Sequence, residues 1–124
     1  MLLAGLGPYA IEPGDFLEES GAAAMRVLLN THPGLDAVVA ANDNMAAGAL
    51  RVLREAGRAV PGDVAVVGFD DLLVAVHTDP KLTTVHQPVQ ALGREAARML
   101  IDLLDGIQPE SFVLSTTMVV RESA

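Results

Sequence analysis

The 124-residue sequence contains no cysteine and no tryptophan. Without thiols it has no disulfide, no thiolate nucleophile and no cysteine-ligated metal. Its aromatic residues are Tyr9, Phe16, Phe69 and Phe112, which leaves little aromatic surface for recognition. Basic residues are also scarce: 8 Lys and Arg stand against 16 Asp and Glu, a net charge of -8 that repels phosphate backbones. The chain alone is therefore not expected to bind nucleic acid. Every apolar run is interrupted before membrane-spanning length, and Met1 to Leu6 is too short and uncharged for a secretory leader, so a soluble, cytoplasmic chain is expected. What is present is apolar bulk. Hydrophobic residues make up 51% and the mean hydropathy is +0.38, enough for an ordered domain of about two-thirds buried surface.

Met1 to Pro8 reads as the end of an apolar element broken by Gly and Pro, which implies further sequence upstream. Tyr9-Ala10-Ile11 suggests a short strand. Ser20 is a candidate cap for a helix from Gly21 to about Asn30, with Ala24, Met25 and Leu28 on its buried stripe. The run from Leu35 to Ala41 lacks alternation and predicts a central parallel strand covered on both faces. Asn42-Asp43-Asn44 turns into a helix from Met45 to about Glu55, and Val64-Ala65-Val66-Val67 predicts a second buried strand ended by Gly68. Strand, helix and strand with short connections predict a right-handed parallel unit. Leu72 to Pro80 fits either a short helix or an irregular connection. Leu82 to Val85 is β-prone, a helix is expected from Val89 to Asp105, and Phe112-Val113-Leu114 and Met118-Val119-Val120 are late strand candidates.

In a parallel α/β sheet, ligands collect beyond the carboxyl ends of the strands. Two such ends are visible, Asn42-Asp43 and Gly68-Phe69-Asp70-Asp71. An Asn amide donates and accepts and an ionised Asp accepts from hydroxyls, which suits a polyhydroxylated molecule. Each residue also has a structural reading. Asp43 is an ordinary helix cap and Asp70 or Asp71 an ordinary turn carboxylate, with periodicity unable to choose between the last two. Phe16 either fills local core or offers a flat wall to a ring. Enzymatic patterns are poor. Ser20, Ser111 and Ser115 lack a nucleophile elbow, His32, His77 and His86 lack metal-ligand spacing, Gly5-Leu6-Gly7 is no phosphate loop, and Asp70-Asp71 alone defines no cation site. No catalytic residue, metal or cofactor is expected.

From Gly14 to Ala124 the sequence resembles the C-terminal portion of LacI/GalR-family transcription regulators, related in fold to periplasmic sugar-binding proteins. The likeness lies in Gly14-Asp15-Phe16, Glu19-Ser20-Gly21, Ala40-Ala41-Asn42-Asp43, Val60-Pro61-Gly62-Asp63-Val64 and Val66-Val67-Gly68-Phe69-Asp70-Asp71. It continues through Leu82-Thr83-Thr84-Val85-His86-Gln87-Pro88, Leu103-Leu104-Asp105-Gly106 and Val119-Val120-Arg121-Glu122-Ser123. Their order and spacing make the resemblance specific.

The resemblance implies an α/β, three-layer, mostly parallel lobe of the type I periplasmic-binding-protein kind, incomplete here. It divides the chain into a main lobe over 9–88, a helix over 89–106 that packs on a leading lobe outside this sequence, and a returning segment over 112–124. It implies effector contacts from Phe16 as an aromatic wall, Asn42 as a hydroxyl reader, Asp43 as a cap that also lines the pocket, and Asp70 as the principal acceptor. Gly68, Phe69 and Asp71 support them. The partner is a carbohydrate-like effector, bound without catalysis, with operator DNA reached only through a longer parent protein. Lacking its cover, the 89–106 helix is expected to redock locally, to swap into another copy or to bury its face in a homo-oligomer. A fragment of a transport receptor, and an assembly fragment without ligand affinity, are the rival readings.

Overall fold

Alanine and valine dominate the core, which lets helices and strands approach closely. Ala22, Met25, Ala46, Ala49, Leu53, Val64, Val66 and Leu82 are buried together. The computed structural model describes residues 10–124. Its elements run α1 (Glu18–Thr31), β1 (Ala37–Val39), α2 (Asp43–Glu55), β2 (Ala65–Val67), a 3-10 turn (Leu73–Val76), β3 (Thr84–His86), α3 (Val89–Leu104) and β4 (Thr117–Val119). Met1 to Tyr9, with the apolar opening and the first residue of the suggested strand, lie outside the described residues. Ala10 and Ile11 form no strand.

The β1–α2–β2 unit is parallel as the sequence predicts, in register Ala37 with Ala65, Val38 with Val66 and Val39 with Val67. β3 continues beside β2 in the same direction through the bridges Val67–Thr83 and Asp70–His86. β4 returns antiparallel to β3. Beyond β4 the chain reaches β2, where the carbonyl of Ser123 accepts from the Val66 amide at 2.8 Å and its hydroxyl donates to the Val66 carbonyl at 2.6 Å.

Packing is most extensive between α1 and α2. Two glycines permit it: a Cβ on Gly21 would strike the Met45 backbone, and one on Gly48 the Glu18 carbonyl. α2 buries Met45, Ala46, Ala49, Leu50, Val52 and Leu53, the stripe its 3.6-residue periodicity predicts.

Four expectations are corrected. α1 begins at Glu18 with Leu17 at the cap position, because the Ser20 hydroxyl accepts from the Asp15 amide and donates to the Leu17 carbonyl. β1 is covered on one face only: Val38 packs on the core, whereas Ala37 and Val39 alternate to the other side and Val39 is 82% exposed. Phe112-Val113-Leu114 forms no strand and exposes Phe112 and Val113, since β-propensity without a cross-strand partner does not hold a ladder. Local redocking of α3 does not occur. None of its residues is buried, and Leu92, Leu100, Ile101, Leu103 and Leu104 are exposed.

Candidate functional site

The carboxyl ends of β1 and β2 are stitched together by backbone. The Ala40 amide donates to Val67 at 2.8 Å and the Asp43 amide to the Phe69 carbonyl at 2.9 Å. This brings the Asn42 and Asp70 segments to one end of the sheet, where α1 and α2 also begin.

Asn42 is the cap of α2. Its backbone is extended (φ -154°, ψ 173°) and its Oδ1 accepts from the Met45 amide at 2.9 Å. Its Nδ2 donates to the Phe16 carbonyl at 2.9 Å, which ties the entry of α1 to the start of α2. The side chain is 7% exposed, so one N–H and one lone pair remain for any further partner. Its main work is therefore structural.

Asp43 departs from both roles expected of it. Its backbone is already helical, so it cannot be the cap, and its side chain is fully buried. Oδ1 accepts from the Thr84 hydroxyl at 2.5 Å and Oδ2 from the Leu72 amide at 2.7 Å. The carboxylate thus binds α2 to β3 and to the loop after β2, instead of lining an opening. Gly68 is required beside it, because a Cβ there would fall on Asp43 Oδ1 and Leu82 Cδ2. Phe69 contributes its carbonyl to the stitch.

Phe16 is 62% exposed, with Leu17 beside it at 61%, so the ring does not fill local core. Its φ is +69°, a costly conformation for a bulky residue. Asp15 Oδ1, accepting from the Leu17 amide at 3.0 Å, and Asn42 on the Phe16 carbonyl fix the segment on either side. Among the described residues the non-glycine positions with positive φ are Phe16, Asp70 (+105°) and Asp71 (+57°). Backbone strain is concentrated at this one end of the sheet, a common property of ligand sites.

Asp70 is half-buried. Its amide donates to Val85 at 2.9 Å and its Oδ1 accepts from Gln87 Nε2 at 2.6 Å, which fixes the plane of the carboxylate. Asp71 faces other partners: Oδ1 meets the Arg121 guanidinium at 2.6 Å and Oδ2 meets His86 Nδ1 at 3.0 Å. Arg121, and after it His86, outweigh the opposing effect of burial and hold the Asp71 carboxyl below its ordinary value of 3.8.

Four residues here went unassigned by site reasoning from sequence: Thr84, His86, Gln87 and Arg121. The usable signal was topological, since a third parallel strand beside β2 has to set its own residues against the Asp70 tip. A separate hollow of about 240 Å³ at the far end of α2 is lined by Leu50, Arg54, Arg58, Val60, Asp79 and Pro80. Its arginines are engaged by the carbonyls of Asp79, Pro33 and Leu35.

The periplasmic binding protein-like domain matches residues 5–124. The chain is 54% identical over 112 residues to the HTH-type transcriptional regulator CelR of Thermobifida fusca, covering 89% of this chain and 33% of that protein. It is 42% identical over 107 residues to the lactose operon repressor of Rhizobium radiobacter, covering 86% of this chain and 95% of that one. A solved structure of a CelR–cellobiose complex aligns with a TM-score of 0.86 at 54% identity, over 90% of this chain and 35% of that one. The chain therefore spans a third of the length of the CelR regulator it matches.

Proposed function

From the premise that this chain belongs to the periplasmic binding protein-like family, as a partial α/β effector-binding domain of the LacI/GalR regulators, we propose that it contributes one wall of a reversible, non-catalytic site for a carbohydrate-like effector. The observation that carries the reading is the meeting of two strand tips through the Asp43–Phe69 hydrogen bond, with the exposed Phe16 ring and the Gln87-held Asp70 carboxylate at that same end. An oriented carboxylate accepts hydrogen bonds from sugar hydroxyls, and an exposed aromatic face covers the apolar side of a pyranose ring. Asn42 acts mainly by fixing the Phe16 backbone, and Asp43, Gly68, Phe69 and Asp71 support the tips from below. Cellobiose, the ligand named for the CelR complex, and lactose, named in the Rhizobium radiobacter repressor, set the chemical class to test.

In this reading effector binding favours one arrangement of lobes and thereby alters operator affinity in the cytoplasm, with DNA contacted outside this acidic chain. The apolar face of α3 then packs on a further lobe, for which the greater length of CelR supplies the chain, and the working protein is a homodimer matched to a two-fold operator. Where that lobe is missing, a second copy covers the face.

Titration calorimetry with cellobiose and lactose tests the site. The expected result is saturable heat with at least one disaccharide and an affinity about tenfold to a hundredfold weaker in Asp70→Ala, since hydrogen bonds to a charged group are worth about 1.5–3 kcal/mol. Equal affinities for the parent and Asp70→Ala would exclude Asp70 from recognition and remove the central support of the proposal.

A further inference from the structure

The Asp70 tip is held from a distance by the last segment of the chain. Asp70 and Asp71 are consecutive non-glycine residues at positive φ, a costly pairing for residues that carry a Cβ. The Asp70 amide is fixed by Val85 and its carboxylate by Gln87, both on or directly after β3. Asp71 is fixed by Arg121. That guanidinium is itself immobilised: Nη1 donates to the Leu82 carbonyl at 2.9 Å while Nη2 reaches Asp71 Oδ1, and the Arg121 amide donates to Thr83 Oγ1 at 2.9 Å. Its side chain is 17% exposed, so the contact is sheltered from solvent. A guanidinium makes these two bonds from separate nitrogens held in one plane, whereas an ammonium would have to serve both from a single nitrogen.

We infer that Arg121 is a positioning residue for the effector site, anchoring Asp71 to β3 and so holding the left-handed 70–71 backbone that aims the Asp70 carboxylate. The inference rests on the proposed role of Asp70 for its functional meaning, but its geometric content stands independently of any ligand. Arg121 touches no effector in this account. It acts through Asp71, and the coupling is specific to that partner.

The test is a double-mutant cycle between Arg121→Met and Asp71→Gly, with Arg121→Lys as a milder variant should Arg121→Met fail to fold. The first readout, taken without sugar, is the amide shift and the three-bond HN–Hα coupling of Asp70 by NMR. The second is the dissociation constant for cellobiose. Arg121→Met is expected to shift the Asp70 signals and to weaken cellobiose binding about tenfold. In the Asp71→Gly background, where residue 71 adopts positive φ without strain and has no carboxylate to anchor, the same substitution should have little further effect on either readout. Arg121→Lys keeps the charge but loses the second bond, and is expected to give an intermediate shift.

A merely structural Arg121 would lower the unfolding temperature and leave the Asp70 signals in place. That outcome overturns the inference, as does an Arg121→Met effect of equal size in both Asp71 backgrounds. Absence of cellobiose and lactose binding by the parent chain would count against the proposed function, while the sugar-free NMR cycle would still decide the positioning claim.

Discussion

Replacing Asp43 by alanine removes the acceptor for two donors at once, the buried Thr84 hydroxyl and the part-buried Leu72 amide. The Thr84 side chain is fully buried, so water cannot substitute without opening the core. The stranded Thr84 hydroxyl costs about 1–3 kcal/mol and the more accessible Leu72 amide less, together about 2–4 kcal/mol, a large part of the stability of a domain this size. Asp43→Asn should behave differently. Its carbonyl can face the Leu72 amide while its NH2 faces Thr84, whose hydroxyl rotates to accept, leaving a loss of about 1–2 kcal/mol. Urea unfolding followed by circular dichroism would measure both losses, and thermal melts should place Asp43→Ala about 8–15 °C below the parent. Thr84→Val should lose much of its own effect once Asp43→Ala is present, because the two share one bond. Asp43→Ala within 0.5 kcal/mol of the parent, or simple additivity with Thr84→Val, would refute the view of Asp43 as a buried clamp.

Gly48→Ala should destabilise by about 2–3 kcal/mol, since the new methyl lands on the Glu18 carbonyl and must push α1 away; thermal melts measure the loss. The acid limb is expected to carry the signature of Asp71. Its folded pKa is depressed, so the stability it supplies is complete above its ordinary value of 3.8 and disappears as pH falls through the lower folded value. Unfolding free energies measured across that window should fall less steeply for Asp71→Asn than for the parent.

The β1–α2–β2 unit was legible in the sequence because both periodicities are strong there: two unbroken apolar runs flank a helix whose Met45, Ala49, Val52 and Leu53 recur on one side. Which strand face would remain open was not legible, since an apolar run states that residues avoid water and not what arrives to cover them. Asn42 and Asp43 are adjacent and equally suited to capping, so composition could not separate them. Their roles diverge because Thr84, 41 positions on, and the Leu72 amide both lie against Asp43. Arg121 was further from reach, 50 positions from the Asp71 it holds. Ser20 illustrates a local failure: the hydroxyl bonds the turn ahead of the helix, and the chain enters α1 three residues earlier than its preferred capping residue suggests.

The Gly21 and Gly48 contacts govern how this end of the molecule can respond to an occupant. Phe16 leads into α1 and Asn42 into α2, and those helices touch main chain to main chain with no side chain between them to yield. The ring and the amide are consequently set at a fixed separation, like two jaws cast in one piece. Adaptation to ligands of different outline falls on the opposite bank, where a two-residue turn is moored by one main-chain bond to Val85 and otherwise by side chains, and changes in sugar preference should be sought there first.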